Sequence, residues 1–344
     1  MKELSINIPT YNRDVFLKKN IGIIIEQLHQ DNLVEKVEIN VSDNASTDAT
    51  QEIVRELIEQ NPDISITYHR NEVNEGPDVN FIKAMHMAKG KYSILFGDDD
   101  YFEPHAILTI LTCANIHADV DIFLSNRISI NANDEEISRG SFLCDDVNDE
   151  IFDFSNTNDG RAYFSLATDH GGILTFISSV MYRTEIMSIV GEYNTACNGS
   201  CYSFLYYFWS FLANGGKLMY LNKYLVRATT AGVTNNNYGQ NMRRLLVDIE
   251  GLSCIADVVF VGNRSTFKQV FLRAARHAIN DERVYRAFFV ADDNDRNRFE
   301  NSAIKCGWQQ AEINFIKYVF RVQNGVKIIL KQILPKSLGK TIKI

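Results

Sequence analysis

No CxxC pair occurs among the six cysteines, Cys113, Cys144, Cys197, Cys201, Cys254 and Cys306. Scattered thiols in a chain of 344 residues point to a reducing compartment, not to a disulfide framework. Cys197 and Cys201 share helical spacing, but no second pair exists to complete a metal site. Basic charge is in deficit: 35 Lys and Arg stand against 43 Asp and Glu, a formal charge of −8. Phosphate contacts need Lys and Arg, so nucleic acid is not an expected partner. The opening "MKELSINIPTYNR" has none of the basic-then-apolar layout of a secretory leader. The greasiest segments, such as "SFLYYFWSFLA", fall short of the roughly 20 residues that cross a bilayer. No internal repeat is present. These absences predict a soluble, cytoplasmic protein.

Apolar residues are plentiful, at 45%, enough for one large domain or two. The first third alternates short apolar strands (4–8, 37–42, 64–69, 92–96 and 120–125) with helical patterns. Ser46 or Thr47 is the expected cap of the helix that ends near Asn61. Strands alternating with helices predict an α/β fold, a mainly parallel sheet flanked by helices. Such sheets bind ligands at the carboxyl ends of their strands. Polar clusters sit at those ends: "PTYNR", "SDNAS" and "GDDD". Residues 131–160 read as an acidic surface excursion with a small hairpin. A helix near 200–213 and a strand at 217–227 follow. Residues 228–241 have the composition of a mobile loop, and 242–334 are helical almost throughout. The expected division is a nucleotide-sugar and acceptor domain over 1–230 and a helical region over 231–344.

The stretch "KYSILFGDDDYFEP" (91–104) sets three aspartates directly after an apolar run. Gly97 lets the chain turn there. Asp98 and Asp100 are two apart, so in extended geometry they project to one side. Two such carboxylates form a hard oxygen site for Mg²⁺ or Mn²⁺. A metal of this kind keeps waters and is completed by substrate phosphates.

Four segments carry a resemblance: "INIPTYNR" (6–13), "VSDNASTDAT" (41–50), "NEGPDVNFIKAMHMAKGKYSILFGDDD" (74–100) and "LTFISSVMYR" (174–183). In this order they resemble the family-two glycosyltransferases of GT-A fold, and the last resembles the abequosyltransferase-like branch of bacterial surface-polysaccharide enzymes. The resemblance covers about the first 130 residues well, with weaker echoes to about 230. It implies transfer of a sugar from a nucleotide-sugar donor to a glycan or lipid-linked acceptor, with Mn²⁺ or Mg²⁺ offsetting charge on the departing diphosphate. Asp98 and Asp100 are then the metal residues, Asp98 also serving the ribose or a metal-bound water. Pro9, Thr10, Tyr11, Arg13, Asp43, Asp98 and Asp99 bind the donor, with Asp43 accepting a hydrogen bond from the base. Asp48 is read as a helix first-turn residue.

The general base stays open. "GEYNTACNGSCYSF" (191–204) holds the place of the family's acidic pair, but Asn198, Gly199 and Ser200 stand where the acids should be. The nearest candidates for the catalytic role are Asp169 and His170 of "TDHGG" (168–172). The stereochemical outcome is open for the same reason. The alternative reading is a nucleotide-sugar-binding subunit without catalysis. A viral-polymerase reading of "GDD" is opposed by the acidic charge and the early βαβ rhythm. The loop at 228–241 is expected to fold over the diphosphate, with Asn235, Tyr238 or Arg243 in reach.

From Ile313 to Ile344 the chain has seven basic residues and no acid. That is the pattern of a basic amphipathic helix, suited to the anionic inner face of the cell membrane. Packing against a second copy in a homo-oligomer is the other reading of this tail.

Overall fold

Strands form where the sequence has short apolar runs broken by polar turns. The computed structural model describes residues 2–229, 242–279 and 281–333. The strands are β1 (Leu4–Thr10), β2 (Val37–Asp43), β3 (Ser65–Arg70), β4 (Tyr92–Leu95), β5 (Tyr101–Phe102), β6 (Ile122–Ile130), β7 (Glu136–Gly140), β8 (Glu150–Asp153), β9 (Val180–Arg183) and β10 (Lys217–Thr229). They join one sheet in the order β3-β2-β1-β4-β9-β6-β10-β5, with β7 on β6 and β8 on β10. The first four pair in parallel. β9 runs antiparallel between β4 and β6. Within 131–160, β7 returns to pair with β6, which ends at Ile130, and β8 pairs with β10, so the hairpin expected inside this segment has only one arm there.

Helices α1 (Asp14–Gln30), α2 (Thr50–Gln60) and α4 (Ala106–Ile116) bear one apolar cluster with the sheet. Helix α3 (Pro77–His86) covers the other face with α5 (Thr157–Leu166), α6 (Ile186–Val190) and α7 (Leu205–Leu212). The C-terminal helices α8 (Met242–Val259), α9 (Lys268–His277), α10 (Asp281–Val290), α11 (Asp293–Lys305) and α12 (Gln310–Ile333) follow. One continuous cluster runs from Ile82 on α3 to Ile316 on α12, so these helices share a core with the sheet.

β1 is buried along its whole length because helices cover both faces of a parallel sheet. Leu4, Ile6 and Ile8 face the apolar cluster shared with α1. Ser5 and Asn7 face the opposite way, as a two-residue period requires. They are satisfied across the sheet: Ser5 donates to Glu38 (2.6 Å), and Asn7 accepts from Asn40 (2.9 Å).

The expected cap of α2 is corrected. The helix starts at Thr50, not at Ser46 or Thr47. Ser46 instead accepts from the backbone N–H of Asn12. Asp48 takes the capping role, accepting from the Thr50 N–H and hydroxyl at 3.1 and 2.6 Å. A carboxylate that collects such donors at a helix start is stabilised, and its pKa is lowered although burial works the other way.

Candidate active site

Parallel register brings the polar ends of β1, β2 and β4 level. Thr10 pairs with Asp43, and β4 delivers Phe96 and the aspartates beside Thr10. A cavity of about 390 Å³ opens there, lined by Pro9, Thr10, Tyr11, Arg13, Asp98 and Asp99 among others. Six of the residues expected to bind the donor therefore share one cavity. Tyr11 is 43% exposed, a large aromatic left in solvent. Asn44, Asn74 and Phe81 complete the wall. The Asn44 amide donates to Asn74 at 2.9 Å, which joins the β2 loop to the approach to α3.

The aspartates are not extended. Asp100 N–H donates to Gly97 C=O at 3.2 Å, closing a tight turn. This corrects the expectation that Asp98 and Asp100 project to one side as in a strand. Asp98 reaches back to β1 and accepts from the Thr10 hydroxyl at 2.7 Å. Asp100 accepts from the Ser178 hydroxyl. A Cβ on Gly97 would lie 2.8 Å from an Asp100 carboxylate oxygen and 3.3 Å from the Ser178 hydroxyl, so a side chain there would displace the Asp100 carboxylate from Ser178. Behind the turn, buried Asn20 on α1 donates to the carbonyls of Gly97 (3.0 Å) and Asp100. Asn20 and Ser178 had no signal in the sequence pattern. They lie about 80 residues from the turn along the chain.

Three acids in so little space need positive charge. Arg13 pairs with Asp99 and lies 4.0 Å from Asp98. It does not neutralise the group. Burial, then the Asp99 charge, pushes Asp98 up to about 7. The same two causes raise Asp100. Carboxyls held above their ordinary range by burial and mutual repulsion suit a divalent cation, which would remove both penalties. Among the described residues no three His, Cys, Asp or Glu side chains gather as a complete cation cage. A cation at Asp98 and Asp100 would therefore complete its shell with water and phosphate oxygens, as Mg²⁺ does.

Asp43 sits behind the cavity wall, not in it. Its side chain is fully buried, accepting from Ser46 N–H (2.8 Å) and the Tyr68 hydroxyl (2.6 Å), with Arg70 Nε at 3.6 Å. The neighbouring strand supplies these partners, because β3 pairs with β2 so that Arg70 lies opposite Asp43. Asn44, one residue on, takes the place at the wall.

Asp169 and His170 do not line the cavity either. Asp169 is linked towards it by Arg127 on β6, which the sequence did not single out. Arg127 Nη2 is 3.7 Å from Asp169, and its charge acts on Asp100. Its guanidinium lies over Phe176 at 4.9 Å. Asp169 keeps a side chain that is one-third exposed. The His170 Nε2 is buried without a hydrogen-bond partner among the described residues, and burial lowers the ring's pKa.

The segment that lacks the acidic pair is held by a different acid. Buried Asp78 on α3 accepts from the backbone N–H groups of Gly199 (2.8 Å), Cys201 (3.0 Å) and Ser203 (3.0 Å). Asn235 and Tyr238 lie outside the described residues. Arg243 is described at the start of α8, 3.6 Å from Asp295.

The model of the family described as "Glycosyl transferase family 2" matches residues 5–182. Abequosyltransferase RfbV of Salmonella typhimurium is 30% identical over 274 residues, 78% of this chain and 80% of that one. Among solved structures, S. aureus TarS 1–349 in complex with UDP superposes with a TM-score of 0.59 at 15% identity, covering 93% of this chain and 92% of that one. The mannosyltransferase PcManGT from Pyrobaculum calidifontis, in complex with GDP-Man and Mn²⁺, gives 0.53 at 15% identity, over 96% and 87%. At these identities the structural likeness speaks for the fold alone: a GT-A sheet flanked by helices, with a helical C-terminal region.

Proposed function

The chain belongs to glycosyl transferase family 2, and on that premise we propose that it moves a glycosyl group from a nucleoside-diphosphate sugar to a hydroxyl of a glycan or lipid-linked acceptor in bacterial surface-polysaccharide assembly. The observation that carries the reading is the closed Gly97–Asp100 turn facing Thr10, Tyr11 and Arg13 across one cavity. A volume of about 390 Å³ falls in the range of small-molecule sites.

The roles follow from what each group can do. Tyr11 offers an aromatic face to a nucleobase, and Asn44 and Asn74 offer amide edges. Asp98, fixed by Thr10, holds the ribose side of the donor. Asp98 and Asp100 would hold Mn²⁺ or Mg²⁺, which offsets negative charge on the leaving diphosphate. Arg13 shares that task as a permanent cation and keeps Asp99 paired. Asp43 supports the site from behind, through Ser46 and the loop that carries Asn44.

For the base we favour Asp169 over His170. Asp169 is the more accessible of the two reactive groups, and Arg127 holds it on the side of the aspartate turn. A carboxylate there can accept the acceptor hydroxyl's proton as the new bond forms. His170, buried and unprotonated by preference, braces the segment. Asp169→Asn is expected to lower kcat by about 10²-fold or more with little change in donor affinity. An unchanged kcat would remove Asp169 from the chemistry.

Residues 1–230 form the donor and acceptor domain in this reading, and 231–344 the helical region. On α12, Phe315, Tyr318 and Val322 are exposed at 56%, 63% and 46%, while Ile313 and Ile316 are buried. An exposed apolar stripe on a basic helix supports docking at a membrane surface. Among the described residues no helix is long and apolar enough to cross a membrane. The deciding experiment is calorimetric titration of UDP, dTDP, CDP and GDP with and without Mn²⁺. One nucleotide should bind, and more tightly with metal. Absence of binding to all four would remove the donor-site reading.

A further inference from the structure

A second cavity, away from the aspartates, carries two arginines that have no counter-charge among the described residues. Helices α5 and α9 pack side by side. Arg161 and Phe164 are three apart on α5, and Arg273 and His277 are four apart on α9, so each pair lies on one helix face. The two faces meet over a cavity of about 440 Å³. Its floor is apolar, since Phe164 and Ala274 are each only 3% exposed. Its rim carries two guanidinium groups and an imidazole, with Arg161, Arg273 and His277 all exposed.

The cations are unspent. Arg161 donates only to the Thr266 hydroxyl (3.2 Å) and Arg273 only to the Gln269 carbonyl (3.4 Å). Among the described residues neither has a carboxylate partner. Arg276, also on α9, behaves as most arginines here do: it pairs with Asp281 and Glu312 at 2.8 Å and stacks over Trp308. Helix α9 carries Lys268, Arg273, Arg276 and His277 and no acid. In a chain of net charge −8, two arginines around one cavity with no carboxylate partner among the described residues are out of keeping with the whole.

We propose that this cavity binds the phosphoryl group of a phosphate or diphosphate ester whose organic part rests on Phe164 and Ala274. Two guanidinium groups offer the paired donors that match phosphate oxygens. His277, exposed on the same rim, adds a ring N–H that can donate to a phosphate oxygen. The cavity is distinct from the donor cavity and shares no lining residue with it. Its edge at Ala167 leads within two residues to Asp169. Identifying the ester as the phosphoryl end of a lipid-linked acceptor rests on the transferase reading; the phosphoryl site itself does not.

The test uses the full chain without divalent metal, titrated calorimetrically with inorganic pyrophosphate and with farnesyl diphosphate. Both should bind. The double variant R161Q/R273Q should weaken both at least tenfold, with an unchanged Tm and unchanged Mn²⁺-dependent nucleoside-diphosphate affinity. Tighter binding of farnesyl diphosphate identifies an apolar, lipid-type ester; equal binding identifies a water-soluble one. R273E should deepen the loss. Equal affinities in wild type and R161Q/R273Q, or no binding by the wild type at millimolar probe, would overturn the proposal. The measurement needs no turnover, so a failure here leaves the transferase reading standing, and a failed nucleotide screen leaves this site standing.

Discussion

Two aspartates show how differently one residue type is used. Asp100 is buried in the donor cavity's turn with its pKa raised, so its charge calls for a cation. Asp100→Asn should therefore keep the fold, because the amide can still accept from Ser178. It should lose metal-dependent nucleotide binding by at least about tenfold, or 1.4 kcal/mol. Calorimetry with and without Mn²⁺ reads this directly, and an undiminished Mn²⁺ effect would end the metal assignment. Asp78 does the opposite work. Its carboxylate accepts three backbone N–H groups and leaves no role for a metal. Asp78→Ala would strand the buried N–H of Ser203 at about 1–3 kcal/mol, while those of exposed Gly199 and half-buried Cys201 can turn to water. Urea unfolding should show a loss of about 1–3 kcal/mol, while Asp78→Asn, which can still accept, should recover part of it. A loss below 1 kcal/mol would mean that the 198–203 segment is not held by this residue.

At the scale of elements, α12 joins two environments. Ile313 and Ile316 anchor its first half in the shared core, and Phe320 packs against Phe288 and Phe289 of α10. Lys317 is occupied by Glu300 at 2.8 Å. The opposite face presents Phe315, Tyr318 and Val322 to solvent. The remaining lysines of the tail lie further on, and residues 334–344 are outside the described part. Deleting 325–344 should leave turnover on a short soluble acceptor intact, because the donor cavity is built from the first 180 or so residues. Binding to anionic liposomes should fall, and added salt should weaken what the full chain shows, since surface charges act over about 8–10 Å. Co-sedimentation measures both. Equal liposome binding by the two forms would favour the stripe as a contact between copies of the chain, which sedimentation velocity would then show.

For the whole molecule, the crowded aspartates link stability to pH and metal. The folded protein raises Asp98 from 3.8 to about 7, so it holds that proton more tightly than the unfolded chain does. Stability without metal is therefore greatest below pH 3.8 as far as this group is concerned, and declines as pH climbs towards about 7. A cation reverses the penalty by favouring the ionised form, so its binding should strengthen over the same window as the proton is lost. Differential scanning calorimetry should find a Mn²⁺-induced rise in Tm that grows from pH 5.5 to 8. Asp98→Asn should raise the metal-free Tm at pH 8 and abolish the Mn²⁺ shift. A shift of equal size at both pH values would separate metal binding from these carboxyls.

Local signals in the chain determined the strand–helix order, the parallel pairing of the first four strands and the acidic turn after β4, while the antiparallel strands that complete the mixed sheet came from the fold. Apolar runs and their polar breaks act over a few residues, so they are legible without the fold. The family resemblance of residues 6–100 rested on the same local patterns. Tertiary structure decided which side chains meet. Asp43 turned inward because β3 sets Tyr68 and Arg70 beside it, and the wall passed to Asn44. Asn20 and Ser178 entered the site from 77 or more residues away along the chain, and Arg127 from strand β6. The loop that lacks the acidic pair found its partner in Asp78, more than 120 residues upstream. Buried polar groups must be satisfied by whatever neighbour packing supplies, and that neighbour is chosen by sheet order and helix docking, which no short stretch of sequence records.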